Sequence, residues 1–183
     1  MEPVTTIGLD ISTKATGYTV FHDQNLIAKG TLSPGNISLY PRMKYMKTCV
    51  QALVEAHDPD FVVIEDYLHS LKYGKSSQTK ALTTLAELGG MCKEAITEHS
   101  QAEIIIYSIP DIKRLAAGKG NASKKDMQDN LPKGYTYQVP EKIKDTVIFY
   151  TPDEVDSFWV SHMFFQSNRY KAFYKFVGAN NGK

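Results

Sequence analysis

The chain has 183 residues and a formal net charge of +1, enough for one domain with a sizeable core and a squeeze for two. Its apolar and charged fractions, 42% and 22%, are those of an ordinary globular protein and exclude disorder as the default reading. Near-neutral charge leaves a nucleic-acid partner to be decided by how the charge is distributed.

Cys49 and Cys92 lie on apolar faces of predicted helices without metal-ligand spacing, so they read as buried free thiols of a reducing compartment. The opening MEPVTTIG has neither the basic nor the apolar region of a signal peptide. No apolar run reaches the roughly 18–20 residues that span a bilayer. A soluble, cytoplasmic protein without a membrane partner is expected.

In chain order, Thr5 to Asp10 reads as a strand ending on an acid. Thr16 to His22 and Leu26 to Leu32 are two more β-rich runs around the turn formers Asp23, Gln24 and Asn25, which predicts an antiparallel meander. Met43, Met46, Val50, Leu53, Val54 and His57 recur at helical spacing. The continuous apolar run Phe61 to Ile64 marks a central strand buried on both faces, and it ends in Glu65 and Asp66.

After a lysine-bearing loop from Tyr67 to about Ser77, the residues Leu82, Leu85, Leu88, Cys92 and Ile96 predict a longer helix. Its Gly89 and Gly90 cost about 1 kcal/mol each against alanine, which suggests close packing of another element there, such as a second subunit. Glu103 to Ser108 gives a fifth strand, and Pro110 opens a short helix. The segment 132–150, rich in Pro, Lys and Tyr, reads as a surface insertion. A final helix begins near Pro152, a favoured first-turn residue, and 170–183 forms a C-terminal tail. The pattern is one α/β domain with a five-stranded mixed sheet flanked by helices.

Asp10 alone could be a turn residue, and Asp153 and Asp156 could simply serve the positive end of their helix. Glu65 is harder to set aside, because an ionised carboxylate after a wholly apolar strand is costly unless a cation or donor meets it. Together the four could converge. Two strand-end acids can meet at one sheet edge, and acids three apart project from one helix face. Such an oxygen cluster suits hard cations. Zinc is disfavoured, since no histidine pairs with a cysteine or another histidine at ligand spacing.

Four ordered blocks resemble the RuvC resolvases. They are IGLDISTKATGYTVF at 7–21, FVVIEDY at 61–67, IKRLAAGKGNASKKDMQ at 112–128 and DEVDSFWVSHM at 153–163. The resemblance implies an RNase H-like fold and a structure-selective endonuclease acting on four-way (Holliday) junctions in recombination and repair. It assigns metal ligation to Asp10, Glu65, Asp153 and Asp156, choosing Glu65 over Asp66, and gives functional roles near the DNA backbone to Lys113 and Lys124.

It also implies two Mg2+ ions, with Mn2+ able to substitute, roughly 3.5–4 Å apart as in other two-metal sites. One ion would sit mainly on Asp10 and Asp156 and the other on Asp10 and Glu65, with Asp153 completing the cluster and Lys124 offsetting charge on the phosphate. A homodimer that nicks both strands symmetrically is implied too. The family's DNA-stacking aromatic falls near Tyr67 or Leu68. The longer Tyr67–Ser77 loop and the expanded 132–150 segment fit a phage or viral member, in which case the compartment is that of viral DNA replication.

Basic residues support a DNA partner. Lys72, Lys75 and Lys80 stand in a stretch without acids, and Lys113, Arg114, Lys119, Lys124 and Lys125 form a dense run. Phosphate contacts there would make binding strongly salt-dependent. After Asp156 no acid remains, and basic residues interleave with aromatic ones in a tail that either packs on the core or faces DNA. His69 and His162 read as exposed and structural, respectively. Three rivals stand beside the main reading: a broader nuclease of forks, flaps and three-way junctions, a catalytically dead DNA-binding relative, and an actin-like or sugar-kinase-like ATPase. The last needs a second lobe and a second phosphate loop, for which this chain is too short.

Overall fold

The computed structural model describes residues 3–66, 79–138 and 146–180. β1 (Thr5–Asp10), β2 (Thr16–His22) and β3 (Asn25–Leu32) form the antiparallel meander. Asp23 turns β2 into β3 at φ 56°, a left-handed conformation that Asp tolerates better than most residues, and its carboxylate accepts the Val4 N–H at 2.9 Å. β4 (Phe61–Asp66) joins parallel to β1, and β5 (Glu103–Ser108) joins parallel to β4, giving the order β3-β2-β1-β4-β5. Parallel neighbours require crossovers, and α1 (Leu39–His57) and α2 (Thr79–His99) supply them.

Side-chain alternation divides the core into two layers. Ile7, Leu9, Val62 and Ile64 face α1 and α2, where they meet Met46, Val50, Leu88, Cys92 and Ile96. Phe61 and Val63 point the other way, into a layer built around α5 (Pro152–Gln166). Ten residues of α5 are buried, so it has no single apolar stripe and behaves as a central helix. Its outer side is covered by α3 (Ile109–Ala117), α4 (Lys124–Asp129) and α6 (Asn168–Asn180).

The described part of 132–150 differs from a purely surface insertion. It contains two three-residue strands, β6 (Tyr135–Tyr137) and β7 (Val147–Phe149), which pair in parallel. Phe149 is fully buried, and the rings of Tyr135 and Phe149 lie 4.7 and 5.3 Å from that of Phe158. Strands this short show too little alternation to register as a pattern.

The basic–aromatic tail forms α6. Tyr170 is buried against Phe164 and Phe165, and Phe173 meets Phe61 edge-on at 5.1 Å. Arg169, Lys171 and Lys175 remain exposed. Among the described residues no helix is long and apolar enough to cross a membrane.

Candidate active site

Strand parity brings the first two acids to one face. On β1, Asp10 shares its side with Gly8, and Gly8 lies directly beneath α5. On β4, Glu65 shares the side of Phe61 and Val63, which face α5, whereas Asp66 has the parity of Val62 and Ile64. The β1–β4 register ends on the pair Leu9 and Ile64. One residue further along each strand are Asp10 and Glu65, so the two carboxylates emerge side by side.

The other acids arrive with α5, whose close approach depends on glycine. A Cβ on Gly17, the β2 partner of Asp10, would fall 1.9 Å from the carbonyl oxygen of Asp153. A Cβ on Gly8 would fall 2.6 Å from the carbonyl oxygen of Ser157. Both distances are far inside van der Waals contact, so only glycine lets the helix settle this low. The Thr19 hydroxyl donates to the Ser157 carbonyl at 3.0 Å and lies 3.1 Å from the Ser161 hydroxyl. These bonds fix the helix along its axis.

At the N-terminus of α5, the Thr151 hydroxyl caps the Glu154 N–H at 3.1 Å and contacts the Thr31 hydroxyl at 2.6 Å. Glu154 is not a solvated first-turn acid. It is buried, pairs with Lys29 at 3.0 Å and accepts the Tyr150 N–H at 2.8 Å. Sequence reasoning missed Gly8, Gly17, Thr19 and the Lys29–Glu154 pair as positioning residues. Gly8, Gly17 and Thr19 do fall within the block at 7–21, but nothing in the sequence marks them as contacts of a distant helix.

Asp10, Asp153 and Asp156 each offer a carboxylate oxygen within 4.8 Å of the other two. Glu65 stands outside that tight trio but within electrostatic reach of Asp10 and Asp156. Burial is the main reason that Asp10 is held well above its ordinary pKa, and repulsion from Glu65, Asp156 and Asp153 adds to it. Burial followed by Asp156 pushes Glu65 up to about 7. Asp156 is raised by burial too, opposed by its hydrogen bond to Lys124. Carboxylates crowded in this way are short of positive charge. An all-oxygen donor set of this kind fits a hard divalent cation.

Lys124 is the cation that the structure places on the cluster, 2.6 Å from Asp156 and 3.7 Å from Asp153. It occupies the first turn of α4, where Ser123 and Asp126 form a reciprocal capping box. The Ser123 N–H and Lys119 hold the Asp126 carboxyl down at about 2. The Trp159 indole N–H donates to the Met127 carbonyl at 3.0 Å, which ties this short helix to α5.

Lys113, on α3, is near enough to lower the pKa values of Glu65 and Asp156. Lys119 and Lys125 are paired with Asp126 at 3.1 Å and Asp129 at 2.5 Å, so this segment is less basic than its sequence suggests. Gly118 ends α3 in a left-handed conformation at φ 74° and donates its N–H to the Arg114 carbonyl. Tyr67, Leu68, His69, Lys72 and Lys75 lie outside the described residues. The His162 ring stacks on Phe158 at 4.9 Å, away from the carboxylates.

Residues 6–146 match the family model for crossover junction endodeoxyribonuclease RuvC. That span includes Asp10, Glu65, Lys113 and Lys124 and stops before Asp153 and Asp156. The chain is 28% identical to the RuvC of Dictyoglomus thermophilum over 156 residues, covering 81% of this chain and 87% of that protein. It is 26% identical to the RuvC of Salinibacter ruber over 126 residues, covering 66% of each.

Its fold is similar to T. thermophilus RuvC in complex with Holliday junction substrate, with a TM-score of 0.63 at 14% identity over 96% of both chains. Another Thermus thermophilus RuvC structure gives 0.62 at 15% identity, covering 96% of this chain and 97% of that one. A family match over most of the length, on a sheet and helix arrangement shared with solved RuvC structures, shows that this chain belongs to the RuvC family of crossover junction endodeoxyribonucleases.

Proposed function

We propose that the protein is a divalent-metal-dependent DNA endonuclease that resolves four-way junctions, using Asp10, Glu65, Asp153 and Asp156 as its ligand set. The observation that carries this reading is the convergence of Asp10, Asp153 and Asp156 within 4.8 Å, with Glu65 beside them on the adjacent parallel strand. Mg2+ is the proposed ion, with two per site and Mn2+ as a substitute. A bound divalent ion supplies Lewis acidity at the phosphate and lowers the pKa of a coordinated water.

The chain's own groups do the rest. Asp10 and Glu65 present oxygens from a rigid sheet edge, and α5 holds Asp153 and Asp156 against them. Lys124 brings a positive charge to the mouth of the site, where it can offset charge developing on the phosphate. Lys113 sits on the β5 side, in position to meet the DNA backbone. A two-fold dimer would place two such sites for paired nicking of a symmetric junction.

The test is a cleavage panel of synthetic four-way junctions, three-way junctions, forks and duplex, each with Mg2+ and with Mn2+. Four-way junctions should be nicked fastest. Asp10→Asn should bind the junction while cleavage falls by about 100-fold or more, as when one preorganised electrostatic group is removed. Equal rates on forks and four-way junctions would favour the broader branched-DNA nuclease. No cleavage of any branched substrate with either metal would defeat the nuclease reading.

A further inference from the structure

We infer that Tyr150 is a nucleobase-stacking residue that fixes how a DNA strand lies across the carboxylate cluster; this rests on the nuclease reading above. Tyr150 is 61% exposed and directly precedes the Thr151 cap of α5. Asp153 lies three positions further along the chain. At most about 3.6 Å per residue, their α-carbons lie within about 11 Å, roughly three nucleotide steps of a stacked strand at 3.4 Å each.

The side chain is exposed, but its backbone is held on both sides. The Tyr150 N–H donates to Glu154 Oε2 at 2.8 Å, and its carbonyl accepts from Gln138 Nε2 at 3.0 Å. Gln138 is itself left-handed at φ 46° and donates its N–H to the Phe149 carbonyl at 2.9 Å. Lys29 Nζ, fixed by Glu154 at 3.0 Å, lies 4.9 Å from the Tyr150 ring centre. A cation at that distance orients the ring.

Anchoring of this segment does not need Tyr150, because Phe149 next to it is fully buried. A Lys–Glu pair that is partly buried, as here, carries some desolvation penalty. Here that pair and a left-handed glutamine support one solvent-facing aromatic ring, beside a cluster suited to phosphate chemistry. Such a ring can stack on the face of any base.

Its placement complements the lysines. Lys29 lies on β3, at one edge of the sheet, so Tyr150 flanks the carboxylates on that side. Lys113 lies on α3, which follows β5 at the opposite edge. A strand crossing the site would meet base stacking on one side and backbone contact on the other.

The experiment uses the full chain in EDTA, so that binding is read without cleavage. The probe is a fluorescein-labelled four-way junction, with versions carrying 2-aminopurine at single positions beside the branch. Tyr150→Ala should bind about 5- to 100-fold more weakly, the range for loss of one stacked base. It should also restore 2-aminopurine fluorescence at one or two adjacent positions that wild type quenches. Tyr150→Phe and Tyr150→Trp should stay within about threefold of wild type, because stacking needs the ring and not the hydroxyl.

Unchanged melting of Tyr150→Ala would exclude misfolding as the cause. The inference is overturned if Tyr150→Ala binds and quenches like wild type, or if Tyr150→Phe is as weak as Tyr150→Ala. The nuclease reading fails separately, when wild type cuts no branched DNA with Mg2+ or Mn2+; wild type that binds no branched DNA at all would bring down both proposals.

Discussion

Glu65 links the chemistry of the site to its stability. Its carboxyl is raised from an ordinary 4.5 to about 7 by burial and by Asp156. The folded protein therefore holds this proton more tightly than the unfolded chain does. The associated stability is fully present below about pH 4.5 and is lost as pH rises through about 7. Metal-free Glu65→Gln and wild type should melt together near pH 4. By pH 8 the variant should melt about 2–8 °C higher, the size of a 1–2 kcal/mol effect in a chain of this length. Saturating Mg2+ should reverse that order at pH 8, because it stabilises by mass action the form that binds it. Calorimetry at the two pH values, with and without Mg2+, checks both signs.

Lys124 carries a second prediction at this scale, since it touches both Asp156 and Asp153. Lys124→Met should lower the single-turnover cleavage rate by about tenfold or more, while junction affinity in EDTA changes far less. Lys124→Arg should recover part of the rate.

At the scale of elements, the packing of α5 on β1 and β2 decides whether a site exists. Gly17→Ala places a methyl 1.9 Å from the Asp153 carbonyl oxygen, and backbone rather than a flexible side chain has to move. The variant should lose about 1–3 kcal/mol in denaturant titration, the usual cost of overpacking. Its Mg2+ affinity should fall as Asp153 and Asp156 are lifted from Asp10.

Gly90 is the contrasting case. Among the described residues nothing lies within 4 Å of a Cβ built there, so the close packing expected at this glycine is absent within the described chain. Gly90→Ala should therefore stabilise α2 by about 0.5–1 kcal/mol. A loss of stability in the same titration would show that a second subunit covers this position.

For the whole molecule, a net charge of +1 conceals a strong separation of sign. Acids meet at one end of β1 and β4, with lysines of α3 and α4 around them. Binding to a four-way junction should weaken linearly in a log–log plot against salt, with a slope near −0.9 per neutralised phosphate. Lys113→Ala should reduce that slope by about one contact. Lys119→Ala and Lys125→Ala should change it less, because Asp126 and Asp129 already partner those lysines. Fluorescence anisotropy from low to moderate salt measures all three.

Much of this was legible in the sequence because strand alternation and helical spacing are local properties. Residues 61–64 had to form a buried strand, Asp10 and Glu65 had to stand at strand ends, and the ordered blocks brought in Lys113 and Lys124. Parity alone places Asp10 and Glu65 on one face once α5 is known to cover that face.

What the sequence could not decide was the distance between α5 and the sheet. That distance depends on side-chain volumes at Gly8 and Gly17, about 140 positions away from the helix they admit. For the same reason the sequence does not reveal that Glu154 is buried against Lys29, and it presents the 132–150 segment as surface although Phe149 lies in the core. The sequence by itself determined which acids were available and on which faces. That Asp153 and Asp156 join Asp10 was implied by the resemblance but is shown only by the tertiary structure, because convergence is a property of packed layers and not of any one segment.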